Sequence, residues 1–88
     1  MKAWVYILKD DNEKFYIGST DNLERRLKQH AQKHTQTTSR MINPKLVLTQ
    51  QYESLVIVRR IENKLKRMKR KDFIEKIVSD GYIKIKSQ

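Results

Sequence analysis

The chain has 88 residues, 38% of them apolar, no cysteine, and a formal charge of +10 from 20 Lys and Arg against 10 Asp and Glu. That length supports one domain with a modest core, and the missing cysteine excludes disulfides, thiolate metal sites and cysteine nucleophiles, which fits a reducing cytoplasm. No apolar run approaches the roughly eighteen residues of a membrane helix, and the charge makes a polyanion, nucleic acid above all, the expected partner.

The first segment, KAWVYILK, alternates with Trp4, Tyr6 and Leu8 on one face and Ala3, Val5 and Ile7 on the other. Both faces are largely apolar, as in a strand covered on two sides. DDNEKF breaks the run too early for a signal peptide. DDNE is the turn of a hairpin, and KFYIG is its second strand, expected to end at Gly18 because a side chain there would obstruct a close approach.

Asp21 with Glu24 has capping-box spacing for the next helix, and Thr20 is a competing cap. At about 100° per residue, Leu23 and Leu27 mark the buried stripe. His30 lies about 20° and Arg26 about 60° to one side of Leu23. Arg25 points the other way, toward water. Residues 32–44, ending at Pro44, read as a loop, with His34 past the helix end and not a zinc ligand. KLVLTQQY is the third strand. A second helix runs from Ser54 to about Arg67, with Ile57, Val58, Ile61, Leu65 and Met68 on one stripe and Glu62 at its edge. Asp72 and Glu75 again have capping-box spacing, and Phe73, Ile74, Ile77 and Val78 give a third helix its apolar side, stopped by Gly81. YIKIK is a short strand or a tail, with the tail preferred. The expectation is one α+β domain over 1–88 with a core over 3–78: a small three-stranded antiparallel sheet with flanking helices, in the order β-β-α-β-α-α.

These segments resemble the GIY-YIG nuclease superfamily, and within it the small stand-alone, UPF0213-like members. WVY at 4–6 stands for the first motif, with Trp4 in the place of its glycine, and YIG at 16–18 is the second motif intact. LERRLKQH resembles the helix carrying the catalytic arginine, which falls on Arg26, with His30 four residues on. RRIENKLKRMKR resembles the helix carrying the metal-binding glutamate, which falls on Glu62. Gly18 and Trp4 are then structural at the site.

The resemblance implies phosphodiester hydrolysis with one weakly held divalent cation, magnesium or manganese. Glu62 would hold it together with water, because magnesium dehydrates reluctantly. The assigned general base is Tyr16, which strand alternation turns away from Phe15 and Ile17. A phenol with its ordinary pKa of about 10 is only about 0.1% ionised at pH 7, so the role requires neighbouring cations, Arg26 among them. Arg26 would stabilise the phosphoryl group with its planar fork of donors. Tyr6 and His30 would hydrogen-bond water or phosphate, or relay a proton; each is also explained as a packed residue of the core.

Residues 59–71, RRIENKLKRMKRK, carry eight basic residues and one acidic, a net +7. Within that cluster Arg59, Lys66, Arg67, Lys69, Arg70 and Lys71, together with Lys14, Arg25, Lys28 and Arg40, are the expected contacts to backbone phosphates, which give affinity without reading bases. The leading function is a metal-dependent DNA endonuclease or a structure-selective repair nuclease. The alternative is a nucleic-acid-binding protein of the same fold with little or no cleavage, and a third is a basic scaffold for protein or RNA. Choice of substrate is left to DNA shape or to an unidentified protein partner, with no membrane involved.

Overall fold

Alternation in the first strand decides the architecture. In the computed structural model, which describes residues 2–31, 42–68 and 70–83, β1 (Ala3–Lys9) is the middle strand of three. β2 (Phe15–Thr20) and β3 (Lys45–Tyr52) pair with it antiparallel on either side. A register shift between Ile7 and Leu8 interrupts the β1–β3 ladder. The helices are α1 (Leu23–Ala31), α2 (Leu55–Met68) and α3 (Lys71–Asp80). This is the expected α+β order, β-β-α-β-α-α.

Ala3, Val5 and Ile7 share one core with Ile17 and Leu48 of the flanking strands and with Val58, Ile61, Leu65, Ile74 and Ile77 of α2 and α3. Each fully buried aliphatic side chain there contributes about 1.5–3 kcal/mol through removal from water. Tyr6 and Leu8, on the opposite face, form a second cluster with Tyr16 and with Leu23 and Leu27 of α1. The sheet is therefore covered on both sides, and β2 and β3 are its two edges. No helix among the described residues is long and apolar enough to cross a membrane.

Several element ends differ from expectation. β2 runs two residues past Gly18 to Thr20, because Ser19 and Thr20 still pair with Val5 and Trp4. The cap of α1 is Asn22, whose Oδ1 accepts the Arg25 N–H at 3.0 Å; Thr20 Oγ1 instead accepts the Asn22 N–H and sets up the turn. Asp21 stands one residue too early to cap. Ser54 Oγ does accept the Ile57 N–H at the start of α2, at 3.3 Å. α3 begins at Lys71 with no side-chain cap, and Asp72 pairs with Arg70 at 3.0 Å from inside the first turn. Gly81 ends α3 as expected, in the left-handed region at φ 82°, donating to the Ile77 and Val78 carbonyls. Met68 is 44% exposed, since it closes α2 where the helix leaves the core. The core also extends past residue 78: Ile83 is buried, and both its N–H and its carbonyl bond the Gln50 amide. The preferred tail reading is therefore corrected as far as Ile83. His34, Arg40, Lys69 and the loop segment 32–41 lie outside the described residues.

The hairpin turn is organised by a carboxylate. Asp10 is 4% exposed, and its oxygens accept the N–H groups of Asn12 at 3.0 Å, Lys14 at 2.8 Å and Ile42 at 3.3 Å. Burial pushes the Asp10 pKa up, but the three backbone donors and the Lys14 charge outweigh it and hold the group below the ordinary carboxylate value. A carboxyl with a lower pKa in the folded chain stabilises it fully above the unfolded value of about 3.9, and that contribution is lost as pH falls through the folded value. Asp10→Asn is expected to melt several degrees below wild type at pH 7, because an amide nitrogen then faces a backbone N–H. The gap should close as pH drops below about 4. Thermal melts across the acid range check this, and a gap independent of pH would contradict it.

Candidate active site

The site begins with Tyr6. β-pairing sets it directly opposite Gly18, and its ring lies across that glycine: a Cβ on residue 18 would come within 2.4 Å of the phenol Cζ and oxygen. Gly18 is therefore a mid-strand gap that the Tyr6 ring fills. From there the Tyr6 hydroxyl meets His30 Nε2 at 2.8 Å. Tyr16 stands on the same face, its ring centroid 6.2 Å from Tyr6 and 5.0 Å from His30. Burial, then the neighbouring Tyr16, push the Tyr6 hydroxyl well above the ordinary phenol pKa, against the opposing charge of Arg26. Burial first, and Arg26 second, lower the pKa of His30. Both shifts favour the neutral forms, and a His30 carrying its proton on Nδ1 accepts the Tyr6 hydroxyl at Nε2.

Glu62 approaches from the other layer. α1 and α2 cover opposite faces of the sheet, yet both reach its β2 edge. Ser19, whose side chain points away from Tyr16 and toward α2, donates its hydroxyl to Glu62 Oε1. Lys66, one turn along α2, places its ammonium 2.7 Å from Glu62 Oε2. The same ammonium stands 5.9 Å from the Tyr16 ring centroid. The Glu62 side chain is 18% exposed and that of Lys66 51%, so the carboxylate, held by Ser19 as well, is the more enclosed partner.

A cleft of about 270 Å³ opens between α1 and the start of α2, lined by Ser19, Thr20, Asp21, Arg25, Arg26, Gln29, Leu55 and Arg59. Arg26 gives one Nη1–H to Gln29 Oε1 at 3.2 Å, while its buried Nε has no partner among the described residues. An unsatisfied buried guanidinium donor is costly, and an anionic oxygen would satisfy it. Arg25, expected to point away from Arg26, is exposed but lines the same cleft.

Other candidates spread more widely. Lys14, Lys66, Arg70 and Lys71 rim a second groove by the hairpin turn. Lys28 is exposed and pairs with Glu24 at 3.8 Å, and Arg67 is exposed on α2; neither lines either opening. Trp4 is half-buried on β1, opposite Thr20 and Gln51. Ser19 and Gln29 were missed from sequence, whereas the Lys66–Glu62 contact is the helix-surface pairing that the i,i+4 spacing allows. The only clue to Ser19 was its alternation with Tyr16 beside an i,i+4 pair on α2.

No three His, Cys, Asp or Glu side chains gather to hold a cation among the described residues. A lone, fixed carboxylate nevertheless fits an ion held mainly by water and substrate oxygens. Lys66 already puts a positive charge where such an ion would stand.

A family model described as the GIY-YIG catalytic domain matches residues 2–77. The chain belongs to the GIY-YIG family. This is a family of nuclease domains. A UPF0213 protein of Autographa californica nuclear polyhedrosis virus is 61% identical over 33 residues, which is 36% of this chain; the chain spans only 32% of that relative's length. The NMR structure of the UPF0213 protein of Bacillus halodurans is similar with a TM-score of 0.59 and 29% identity, over 92% of this chain and 87% of the other. Within that family, UPF0213 proteins are what the chain is similar to.

Proposed function

We propose that this GIY-YIG domain is a cytoplasmic endonuclease that hydrolyses DNA phosphodiester bonds with a divalent cation. The observation that carries the proposal is the meeting, at the β2 edge, of an arginine cleft with the fixed carboxylate of Glu62. Arg25, Arg26 and Arg59 line the cleft and supply the positive field for a backbone phosphate, to whose oxygens the guanidinium fork of Arg26 donates. Tyr16, half-buried at the edge, takes the proton from the attacking water. The water oxygen bonds to phosphorus as the opposite P–O bond breaks. Tyr6, buried and neutral, is unsuited to be the base; with His30 it hydrogen-bonds water or phosphate and fixes the Tyr16 surroundings. Glu62 holds the cation, which when bound neutralises phosphate charge and stabilises the leaving oxygen.

One observation favours the alternative. Lys66 already neutralises Glu62, as it would in a protein that binds nucleic acid without cutting it. Supercoiled, branched and single-stranded DNA, each with and without magnesium or manganese, separate the two. Cleavage that requires the metal is expected, with Arg26→Lys at least about 100-fold slower in single turnover, about 3 kcal/mol of transition-state stabilisation. Binding should weaken with a log–log salt slope of roughly −5 to −7 if six to eight cations meet phosphates. Tight, salt-sensitive binding without cleavage of any form would select the alternative.

A further inference from the structure

The second groove, about 430 Å³, lies on the other side of Lys66 from the arginine cleft. Its floor is apolar, made by Phe15 and Ile17 of β2, Leu65 of α2 and Ile74 of α3. Its rim is cationic: Lys14, Lys66, Arg70 and Lys71, with Glu13 as the one acidic side chain, held by Lys9 at 3.8 Å. Lys9 also stands 5.7 Å from the Phe15 ring centroid.

Its position relative to the site is fixed by α2. Arg59, Glu62 and Lys66 follow one another along the flank of that helix facing β2. At about 1.5 Å rise per residue, Arg59 and Lys66 are about 10 Å apart. That is between one and two phosphate steps along a strand. A chain whose phosphate lies against Arg26 and Arg59 is thus led past Glu62 to the mouth of the groove.

The chemistry of the groove then selects what enters. A bare phosphate gains nothing from Phe15, Ile17, Leu65 and Ile74. A base pair offers only its edges there, because its faces are stacked within the duplex. An unpaired base offers an apolar face to the floor while its own phosphate meets the lysine and arginine rim. This combination of aromatic platform and basic groove is how single strands are held without reading sequence. We infer that the groove binds one unpaired nucleobase flanking the scissile phosphate, so that the preferred substrate is DNA with a single-stranded arm. The inference rests on the proposed active site for the path of the strand, but it requires no cleavage.

The test is therefore made on binding alone, in EDTA, with fluorescently labelled DNA. Three probes are compared: a blunt duplex, the same duplex with a single-stranded arm, and that arm with successive single nucleotides made abasic. Wild type is expected to prefer the armed duplex roughly tenfold, and one abasic position next to the junction should abolish the preference. Phe15→Leu keeps an apolar floor and the basic rim but removes the ring. It should bind blunt duplex like wild type, and intact and abasic arms alike. Circular dichroism melts of the variant show that the fold is retained. Equal binding of the intact and every abasic arm by wild type would overturn the inference. Absence of cleavage with the arm preference intact would instead fall on the nuclease proposal and leave the groove assignment standing.

Discussion

Glu62→Gln is expected to abolish metal-dependent cleavage while DNA affinity holds or rises. Glutamine keeps the size of the side chain and can still accept the Ser19 hydroxyl, but it carries no charge to hold a cation. The substitution also releases Lys66, whose ammonium now sits 2.7 Å from the carboxylate. One repelling charge disappears from the DNA-facing edge and one attracting charge is freed, so ground-state binding moves in the favourable direction. Rates should be taken in single turnover at saturating DNA, where a binding defect cannot pass for slow chemistry. Affinities are taken in EDTA. Cleavage by the variant at the wild-type rate, with the same metal dependence, would remove Glu62 from the mechanism.

The second large effect is expected from the smallest change. Gly18→Ala adds one methyl group, 2.4 Å from both Cζ and the hydroxyl oxygen of Tyr6. Strand pairing holds both backbones, so the ring must move, against surroundings that include Tyr16, His30 and the leucines of α1. Overpacking of this kind costs about 1–3 kcal/mol. The displaced phenol also loses His30, 2.8 Å away at present, and disturbs Tyr16. Misplacement on that scale lowers the cleavage rate on the order of 10–100-fold. Thermal melts and single-turnover rates read the two effects separately. Coupling identifies the cause: in a Tyr6→Leu background, where the ring is gone, the added methyl should cost far less stability. Equal losses in both backgrounds would mean that the clash with Tyr6 is not the reason for the glycine.

The two faces of β1 were legible from alternation, and the helix phases from the spacing of Leu23 and Leu27 and of Val58, Ile61 and Leu65. Period-2 and period-3.6 patterns are imposed by burial itself, so a single chain displays them directly. Helix starts were harder. Asp21, Asn22, Thr20 and Asp72 can all cap in isolation, and backbone pairing of Thr20 with Trp4 decided in favour of Asn22. Ile83 looked like a tail because its partner Gln50 is 33 positions away.

By itself the sequence determined an α+β domain of the GIY-YIG family, strongly basic, with Tyr16, Arg26 and Glu62 on three separate elements. Those follow from local periodicity and motif spacing, which depend on neighbours along the chain. Only the tertiary structure decided that two helices on opposite faces of the sheet meet at one edge, because β2 is the outer strand there. It also paired Ser19 with Glu62, closed Tyr6 onto Gly18, and left an apolar groove beside the arginine cleft. Each of these depends on which strand lies outermost and how far a side chain reaches past it, and no spacing along the chain encodes that.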